Sequence, residues 1–131
     1  MICLDTSFIL DLLKKKPESV NKFKLFLSEE LVSTEVNYFE VLYGVFKKHE
    51  FSEKELNLVQ HFFNSISVFK LDDLSAYKAA QLAGELSKKG MIIETNDSLI
   101  AGTCLANNCS KIVTKNVKHF SRIKGLKVET Y

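Results

Sequence analysis

The sequence predicts an α/β fold in which helices cover both faces of a parallel β-sheet. Short β-branched or aliphatic segments alternate with longer segments whose apolar residues recur at helical spacing. This alternation is typical of βαβ units, which build parallel sheets. The chain has 131 residues, 46% of them hydrophobic, which suffices for one domain with a substantial core. It contains one proline and five glycines, so a loop-rich or disordered chain is not expected.

A carboxylate follows the first predicted strand. The apolar residues 2–4 lead directly into Asp5, and Thr6 or Ser7 is expected to cap a helix that extends to residue 16. Ligands of open α/β sheets bind outside the carboxyl ends of the strands. We therefore expect Asp5 at the edge of the sheet where a ligand would bind.

The remaining elements are predicted by capping residues and apolar periodicity. Pro17 suits the first turn of a second helix, and Thr34 is placed to cap a third. Ser52 and Glu55 form a capping box that opens a fourth helix, and Gly90 ends the fifth. The predicted strands are 2–4, 31–33, 66–71, 111–114 and 126–128, and the predicted helices include 17–30, 35–48, 73–89, 97–107 and a turn at 119–123.

Glu40 stands out because its helix is otherwise apolar. Between residues 36 and 46, only Asn37 is also strongly polar. A helix that is apolar on nearly all sides is buried, and a buried carboxylate is normally paired, protonated or bound to a metal. A salt bridge from a lysine or arginine elsewhere in the chain is the structural alternative.

Two further polar positions are expected at the same edge. Asp97 opens a helix that Thr95 or Asn96 would cap, although an acid there can serve only to stabilise the helix N-terminus. Asn116 follows the fourth strand, where a simple turn would also explain it. Side-chain oxygens converging from these positions, Asp5 and Glu40 would suit Mg²⁺ or Mn²⁺.

The C-terminal quarter of the chain is basic. The net charge is only +2, but no Asp or Glu occurs between Ser98 and Val128. Such a charge distribution suits a polyanion, with a solvated basic surface as the alternative. The basic residues of this span are Lys111, Lys115, Lys118, His119, Arg122, Lys124 and Lys127.

Cysteine spacing and hydropathy exclude several classes of protein. Cys3, Cys104 and Cys109 are irregularly spaced, which favours reduced, buried thiols over disulfides or a zinc site. No apolar run approaches the length of about 18 residues that a membrane span needs. Met1 leads directly into a strand, so no signal peptide is expected and the cytoplasm is the expected compartment.

Four stretches, spread over the whole chain, together match one known pattern. They are ICLDTS at 2–7, TEVNYFEVLYG at 34–44, Gly90 with DSLIAG at 97–102, and IVTKNVKHF at 112–120 with GLKV at 125–128. This pattern resembles the PIN domain family, in particular the VapC-type toxins of toxin–antitoxin pairs. The resemblance implies one nuclease domain over residues 1–131, with a three-layer α/β/α fold around a parallel sheet of four to five strands.

The resemblance also implies an activity, a cofactor and partners. The activity is that of a divalent-metal-dependent endoribonuclease that uses Mg²⁺ or Mn²⁺ to cleave an RNA substrate. The partners are a second copy of the chain, in a homodimer, and a small VapB-like antitoxin that inserts a segment near the active site. The residues matching the family's site are Asp5, Glu40 and Asp97 as acidic metal ligands, Asn116 where many members carry a fourth acid, and Thr6, Ser7 and Thr114 as groups that orient the ligands or water.

We hypothesise that Asp5 and Asp97 hold one metal, with Glu40 completing its shell or taking a proton from water. A second metal would enter with the substrate on the side of Asn116, because asparagine removes one negative charge there. The candidates for contacts with the RNA backbone, which supply affinity rather than sequence choice, are Lys115, Lys118, Arg122 and the run of lysines at 14–16.

Three alternatives remain open at this stage. Asn116 leaves room for a catalytically weak PIN-like module that binds RNA or a protein. In a flavodoxin-like or receiver-type domain, Asp5 would be a phosphoacceptor or bind a small molecule. That interpretation leaves Glu40 and the basic C-terminal quarter unexplained, and this chain has no glycine-rich phosphate loop after its first strand. A nuclease of the same fold that acts on DNA is the third alternative.

The third and fourth helices are more aromatic than one small core needs. We expect the antitoxin or the second subunit to contact this surface. Its residues are Tyr38, Phe39, Tyr43, Phe46, Phe62 and Phe63. Asp11, by contrast, is expected to be a solvent-facing acid of the first helix.

Overall fold

A computed structural model describes residues 1–131 as a five-stranded parallel sheet with helices on both faces. The strand order is β3-β2-β1-β4-β5. The strands are β1 Ile2–Leu4, β2 Leu31–Thr34, β3 Ser67–Phe69, β4 Lys111–Val113 and β5 Lys127–Glu129. The helices are α1 Thr6–Leu13, α2 Pro17–Leu25, α3 Glu35–Phe46, α4 Glu53–Asn64, α5 Asp73–Lys88, α6 Thr95–Ala106 and α7 Val117–Phe120. The predicted α/β/α architecture is confirmed.

Strand β1 lies at the centre of the sheet. Cys3 pairs with Val32 on one side and with Ile112 on the other. The chain first builds outward from β1 to β2 and β3, and then β4 returns to the opposite side of β1. This reversal is a topological switch point, which leaves a crevice at the carboxyl ends of the strands. Asp5 lies at this point, with its backbone N–H donating to the carbonyl oxygen of Val113 at 3.1 Å.

Successive side chains of β1 point to opposite faces of the sheet and contribute to two separate cores, one on each face. Ile2 and Leu4 pack with Phe8 and Val41 on one face. Cys3 packs on the other face with the core that contains Ile100 and the remaining cysteines. All three cysteines are buried free thiols, as the sequence predicted. Two buried faces account for the continuous apolar sequence of this strand.

The capping predictions are confirmed at α3 and α4 and wrong at α1 and α6. Thr34 and Ser52 accept hydrogen bonds from backbone N–H groups three residues on. The N-cap of α1 is Asp5, not Thr6 or Ser7, because both hydroxyl groups donate to carboxylates instead. The N-cap of α6 is Glu94 rather than Thr95 or Asn96, so Asp97 lies within the first helical turn.

Several predicted boundaries also differ from the observed ones. Helix α1 ends at Leu13, and Lys15 adopts a left-handed conformation with φ of 56°. Helix α2 ends at Leu25, well before residue 30. The last helical turn spans Val117–Phe120 instead of 119–123, and β5 begins one residue later than predicted. Gly90 has a φ of 69°, which fits its predicted role after α5.

Asp11 is buried, which corrects the prediction of a solvent-facing acid. Lys16 and Lys115 contact its carboxylate at 2.7 and 2.5 Å, and the hydroxyl group of Tyr131 donates to it at 3.0 Å. Desolvation opposes ionisation, but these donors prevail and hold the pKa of Asp11 below its usual range. The cluster ties the C-terminal residue to α1, a contact between positions 120 apart. No helix combines the length and apolarity needed to cross a membrane.

Candidate active site

The first carboxylate of the site is held between β1 and β4. Asp5 is 5% exposed. Its Oδ2 accepts hydrogen bonds from Thr114 Oγ1 at 2.6 Å and from Ser7 Oγ at 3.1 Å. Thr114 follows β4 directly, so the two adjacent central strands bring these groups together. The structure therefore places the predicted orienting residues Ser7 and Thr114 against Asp5.

Helix α3 contributes Asn37, which sequence reasoning did not select. Asn37 is fully buried, and its Nδ2 lies 3.1 Å from both Asp5 Oδ1 and Thr6 Oγ1. Its Oδ1 accepts a hydrogen bond from Thr34 Oγ1 at 2.7 Å. The signal was present in the sequence, because Asn37 is the other polar residue of this apolar helix, about one turn before Glu40.

Glu40 projects from α3 toward the same edge and has no basic partner. Thr6 Oγ1 donates to Glu40 Oε1 at 2.6 Å, and Asn96 Nδ2 donates to Oε2 at 3.4 Å. Both partners are neutral, so the structure does not contain the salt bridge that was the alternative explanation of this acid. Through Thr6 and Asn37, Glu40 and Asp5 share one hydrogen-bond network.

The third carboxylate, Asp97, lies in the first turn of α6 and is 7% exposed. Asn116 Nδ2 donates to its Oδ2 at 2.7 Å, and His119 Nδ1 lies 2.7 Å from the same oxygen. We predicted that Asn116 would offer a carbonyl oxygen, but its amide nitrogen is the atom that faces Asp97. His119, considered before only for its charge, is a second site residue that the sequence did not single out.

Burial and neighbouring negative charges raise the pKa values of two carboxyl groups of the site. Burial raises the pKa of Asp5, although hydrogen bonds from Thr114, the Thr6 backbone and Ser7 oppose the shift. Burial likewise raises the pKa of Glu40, and the negative charges of Asp5 and Asp97 contribute to the increase. Like charges are therefore gathered at one edge of the sheet without a lysine or arginine to neutralise them.

A family model described as "PIN domain" matches residues 2–126. The chain belongs to the PIN domain family. It is 30% identical over 129 residues to the "tRNA(fMet)-specific endonuclease VapC" of Salmonella typhimurium, which covers 98% of this chain and 96% of that protein. It is also 30% identical over 132 residues to "Ribonuclease VapC2" of Rickettsia felis, with the same two coverages.

Solved structures show the same likeness over the whole length of this PIN domain. A VapBC2 complex from Rickettsia felis bound to a DNA fragment from its promoter has a TM-score of 0.88 at 28% identity, covering 100% of this chain and 99% of that one. DNA-bound VapBC from Salmonella typhimurium has a TM-score of 0.85 at 29% identity, covering 98% and 96%.

The donor set of this PIN domain fits a hard divalent cation. Carboxylate oxygens are the ligands that Mg²⁺ and Mn²⁺ prefer. A cation would offset the burial of the Glu40 charge and its repulsion by Asp5 and Asp97, which together raise the pKa of Glu40. As the side chains stand, no three His, Cys, Asp or Glu groups are close enough to form a ready ligand cage. Instead, the carboxylate oxygens accept hydrogen bonds from Asn, Thr and Ser side chains.

The predicted RNA-contacting residues of this PIN domain differ in their availability. Lys115 is paired with Asp11, and its ammonium group lies 5.1 Å from the centre of the Tyr131 ring. Arg122 donates to the carbonyl oxygen of Ile92 at 3.0 Å. Lys118 is exposed on α7 and takes part in no ion pair or side-chain hydrogen bond of the structure.

The aromatic surface predicted on α3 and α4 is exposed in part. Phe39, Tyr43 and Phe46 are 61%, 57% and 58% exposed on α3. The rings of Phe39 and Tyr43 stack with their centres 6.1 Å apart. Phe63 is buried in the core, and Tyr38 and Phe62 are half-buried. The exposed part of this surface therefore belongs to α3.

Proposed function

We propose that the protein is a divalent-metal-dependent endoribonuclease and the toxin of a VapBC-type toxin–antitoxin pair. The proposal depends on one observation. Asp5, Glu40 and Asp97 come from three separate elements, lie at the switch point of the sheet and are not paired with any lysine or arginine. Relatives named as VapC nucleases match nearly the whole chain and support this choice. The proposal treats residues 1–131 as a single nuclease domain that acts in the cytoplasm.

The three carboxylates are the groups that would hold Mg²⁺ or Mn²⁺. Such an ion, when bound, neutralises charge on the phosphoryl oxygens and makes water a stronger nucleophile. Asn116 contributes differently from the acid that many family members carry there. Because its Nδ2 donates to Asp97, only its Oδ1 is left for a second cation that enters with the substrate.

Two of the acids differ in how firmly neighbouring residues hold them, and Glu40 is the one that can accept a proton. Thr114, Ser7 and Asn37 together occupy both oxygens of Asp5, which prevents the carboxylate from rotating. Glu40 differs, since the bond from Asn96 to its Oε2 is long at 3.4 Å. The raised pKa of Glu40 favours proton uptake. Oε2 is therefore the atom that we assign to accept the proton of the attacking water.

The antitoxin is proposed to occupy an apolar groove between α1, α3 and α4. Leu10, Val41 and Leu58 contribute to its walls, and Lys14 and Lys47 lie at its rim. An amphipathic segment with acidic side chains would complement this surface in both hydropathy and charge. The exposed aromatic residues of α3 are the proposed contact surface for the second subunit of a homodimer. The two similar structures from Rickettsia felis and Salmonella typhimurium are described as VapBC complexes, which supports a VapB-like partner.

The function is tested by incubating the purified protein with transfer RNAs, messenger fragments and DNA of matched sequence. The reactions contain Mg²⁺, Mn²⁺ or a chelator, and products are resolved on denaturing gels. We expect internal cleavage of RNA only when metal is present, and no cleavage of DNA. A folded protein that binds RNA without cutting it under any condition would contradict the proposal and favour a PIN-like binding module.

Lys118 is the basic residue that we expect to contribute most directly to RNA binding. Because its ammonium group is free, it can neutralise one phosphate and release a counterion. The Lys118→Ala variant should bind RNA several-fold more weakly, with a slope of log affinity against log salt reduced by about 0.7. Fluorescence anisotropy at several salt concentrations measures both values.

The matched control for Lys118 is Lys54→Ala, which removes an exposed lysine from the first turns of α4. This control should leave the RNA affinity and its salt dependence unchanged. Lys115→Ala should weaken RNA binding less than Lys118→Ala, because Lys115 is already paired with Asp11. Equal losses in all three variants would mean that only overall charge matters.

A further inference from the structure

The two oxygens of Asp97 have different environments. Oδ2 accepts the hydrogen bond from Asn116 Nδ2 and also lies 2.7 Å from His119 Nδ1. Oδ1 takes part in none of the hydrogen bonds of the structure. Every fully buried side-chain nitrogen and oxygen has a partner, so Oδ1 keeps contact with solvent at the open edge of the site. One oxygen is fixed by protein and the other is available to a ligand.

The distances determine which ring nitrogen of His119 carries hydrogen. An ionised carboxylate can only accept, so a contact of 2.7 Å with Asp97 Oδ2 requires a hydrogen on His119 Nδ1. A protonated Nδ1 cannot accept the amide hydrogen of Asn116, which lies 3.1 Å away. The Asn116 hydrogen therefore goes to Asp97, and Oδ2 receives two donors.

The segment that carries both donors is anchored to the core and to the other half of the site. Phe120, the neighbour of His119, is fully buried. The backbone N–H of Asn116 donates to Thr114 Oγ1 at 2.9 Å, and Thr114 donates to Asp5. One short segment after β4 thus positions two of the three carboxylates relative to each other.

We propose that His119 is a positioning residue, whose Nδ1–H, together with the Asn116 amide, holds Asp97 Oδ2 so that Oδ1 is left for the divalent cation. The inference rests on the proposed function, since it assigns Asp97 to the metal. Groups that orient metal ligands by hydrogen bonding affect metal affinity by about 10–100-fold. His119 is the only side chain besides Asn116 that bonds Asp97, so its removal should allow the carboxylate to rotate.

The test compares two substitutions of His119 that each introduce an amide donor, but at the positions of different ring nitrogens. His119→Asn puts an amide nitrogen near the position of Nδ1, whereas His119→Gln puts one near the position of Nε2. Mn²⁺ is titrated into metal-free protein without RNA, and free Mn²⁺ is followed by electron paramagnetic resonance. We expect His119→Asn to bind Mn²⁺ within a few-fold of the wild type, and His119→Gln and His119→Ala to bind about tenfold more weakly or worse.

Thermal unfolding of the metal-free variants separates positioning from folding. If His119 has only a structural role, the asparagine and glutamine variants should lose stability alike, and their Mn²⁺ affinities should not differ from each other. If the wild type and all three variants bind Mn²⁺ equally, or if Asn and Gln lose affinity to the same extent, the role of His119 is refuted while the metal site stands. A wild type that binds no Mn²⁺ would refute the metal site and the role of His119 together.

Discussion

Replacing Asp5 with Asn is expected to reduce RNA cleavage severely and, in the absence of metal, to stabilise the protein. Cleavage should fall by a factor on the order of 10³, because Asp5, one of the proposed metal ligands, loses its charge. The fold should tolerate the change. The hydroxyl groups of Ser7 and Thr114 can turn to accept hydrogen bonds from the new amide, and its oxygen can still accept from Asn37.

The gain in stability follows from the raised pKa of Asp5. The folded protein holds the proton of this carboxyl more tightly than the unfolded chain, because burial penalises the charged form. Ionised Asp5 therefore destabilises the metal-free protein. The penalty is absent below the unfolded pKa of about 4, grows as the pH rises toward the folded pKa, and is complete above it. At pH 7 the variant should melt a few degrees above the wild type, and the difference should vanish near pH 4.

Thermal melts between pH 4 and pH 8, in chelator and in Mg²⁺, measure this prediction. Mg²⁺ should raise the melting temperature of the wild type and not that of Asp5→Asn, because only the wild type has the complete ligand set. The control is Asp73→Asn, which neutralises an exposed acid at the start of α5 and should cleave RNA normally. An Asp5→Asn variant that melts below the wild type in chelator at pH 7 would show that the cost of burying the ionised Asp5 carboxylate is not the dominant effect at this position.

The position of the site could be predicted because the relevant signals are local. Asp5 directly follows an apolar strand, and Asn116 follows another. Parallel strands place their carboxyl ends at one edge, so topology alone brings such residues near one another. Glu40 was identified by a local contrast, a carboxylate within an apolar helix. None of these inferences needed a specific contact between distant residues.

The hydrogen-bond donors of the site could not be assigned in this way. Asn37 contacts Asp5 across 32 positions, and His119 contacts Asp97 across 22. Many Asn and His residues could fill such roles, and only the packing of α3 and α7 selects these two. The sequence also gave no reason to bury Asp11, because its partner Tyr131 lies at the other end of the chain.

The wrong caps at α1 have a physical explanation in the same network. A hydroxyl group near a helix start usually accepts from a backbone N–H. Here Thr6 donates to Glu40 and Ser7 donates to Asp5. Hydrogen bonds to a carboxylate are about twice as strong as neutral ones, so the acids of the site compete successfully for these hydroxyls. The capping rule fails here because two carboxylates are close to the helix start, which makes the failure informative about the site.

The close packing of α5 against α6 leads to the largest expected loss of stability. Gly102 on α6 faces Ala79 on α5. A Cβ atom at position 102 would lie 2.5 Å from the Cα of Ala79 and 2.6 Å from its Cβ, and closer still to the amide nitrogen. These are largely backbone atoms of a helix, which cannot move aside as a flexible side chain could. Any larger residue at this position must therefore push the two helices apart.

Gly102→Ala should lower the free energy of unfolding by about 3 kcal/mol, at the upper end of the usual cost of overpacking. The control is Gly84→Ala on α5, where an added Cβ meets nothing within 4 Å and should stabilise the exposed helix by up to about 1 kcal/mol. Urea denaturation of both variants gives the two values. Since α6 also carries Asp97, the folded fraction of Gly102→Ala should bind Mn²⁺ more weakly. Equal stabilities of the two variants would show that α5 and α6 can separate at little cost. An unchanged Mn²⁺ affinity of Gly102→Ala would show that the position of Asp97 does not depend on this contact.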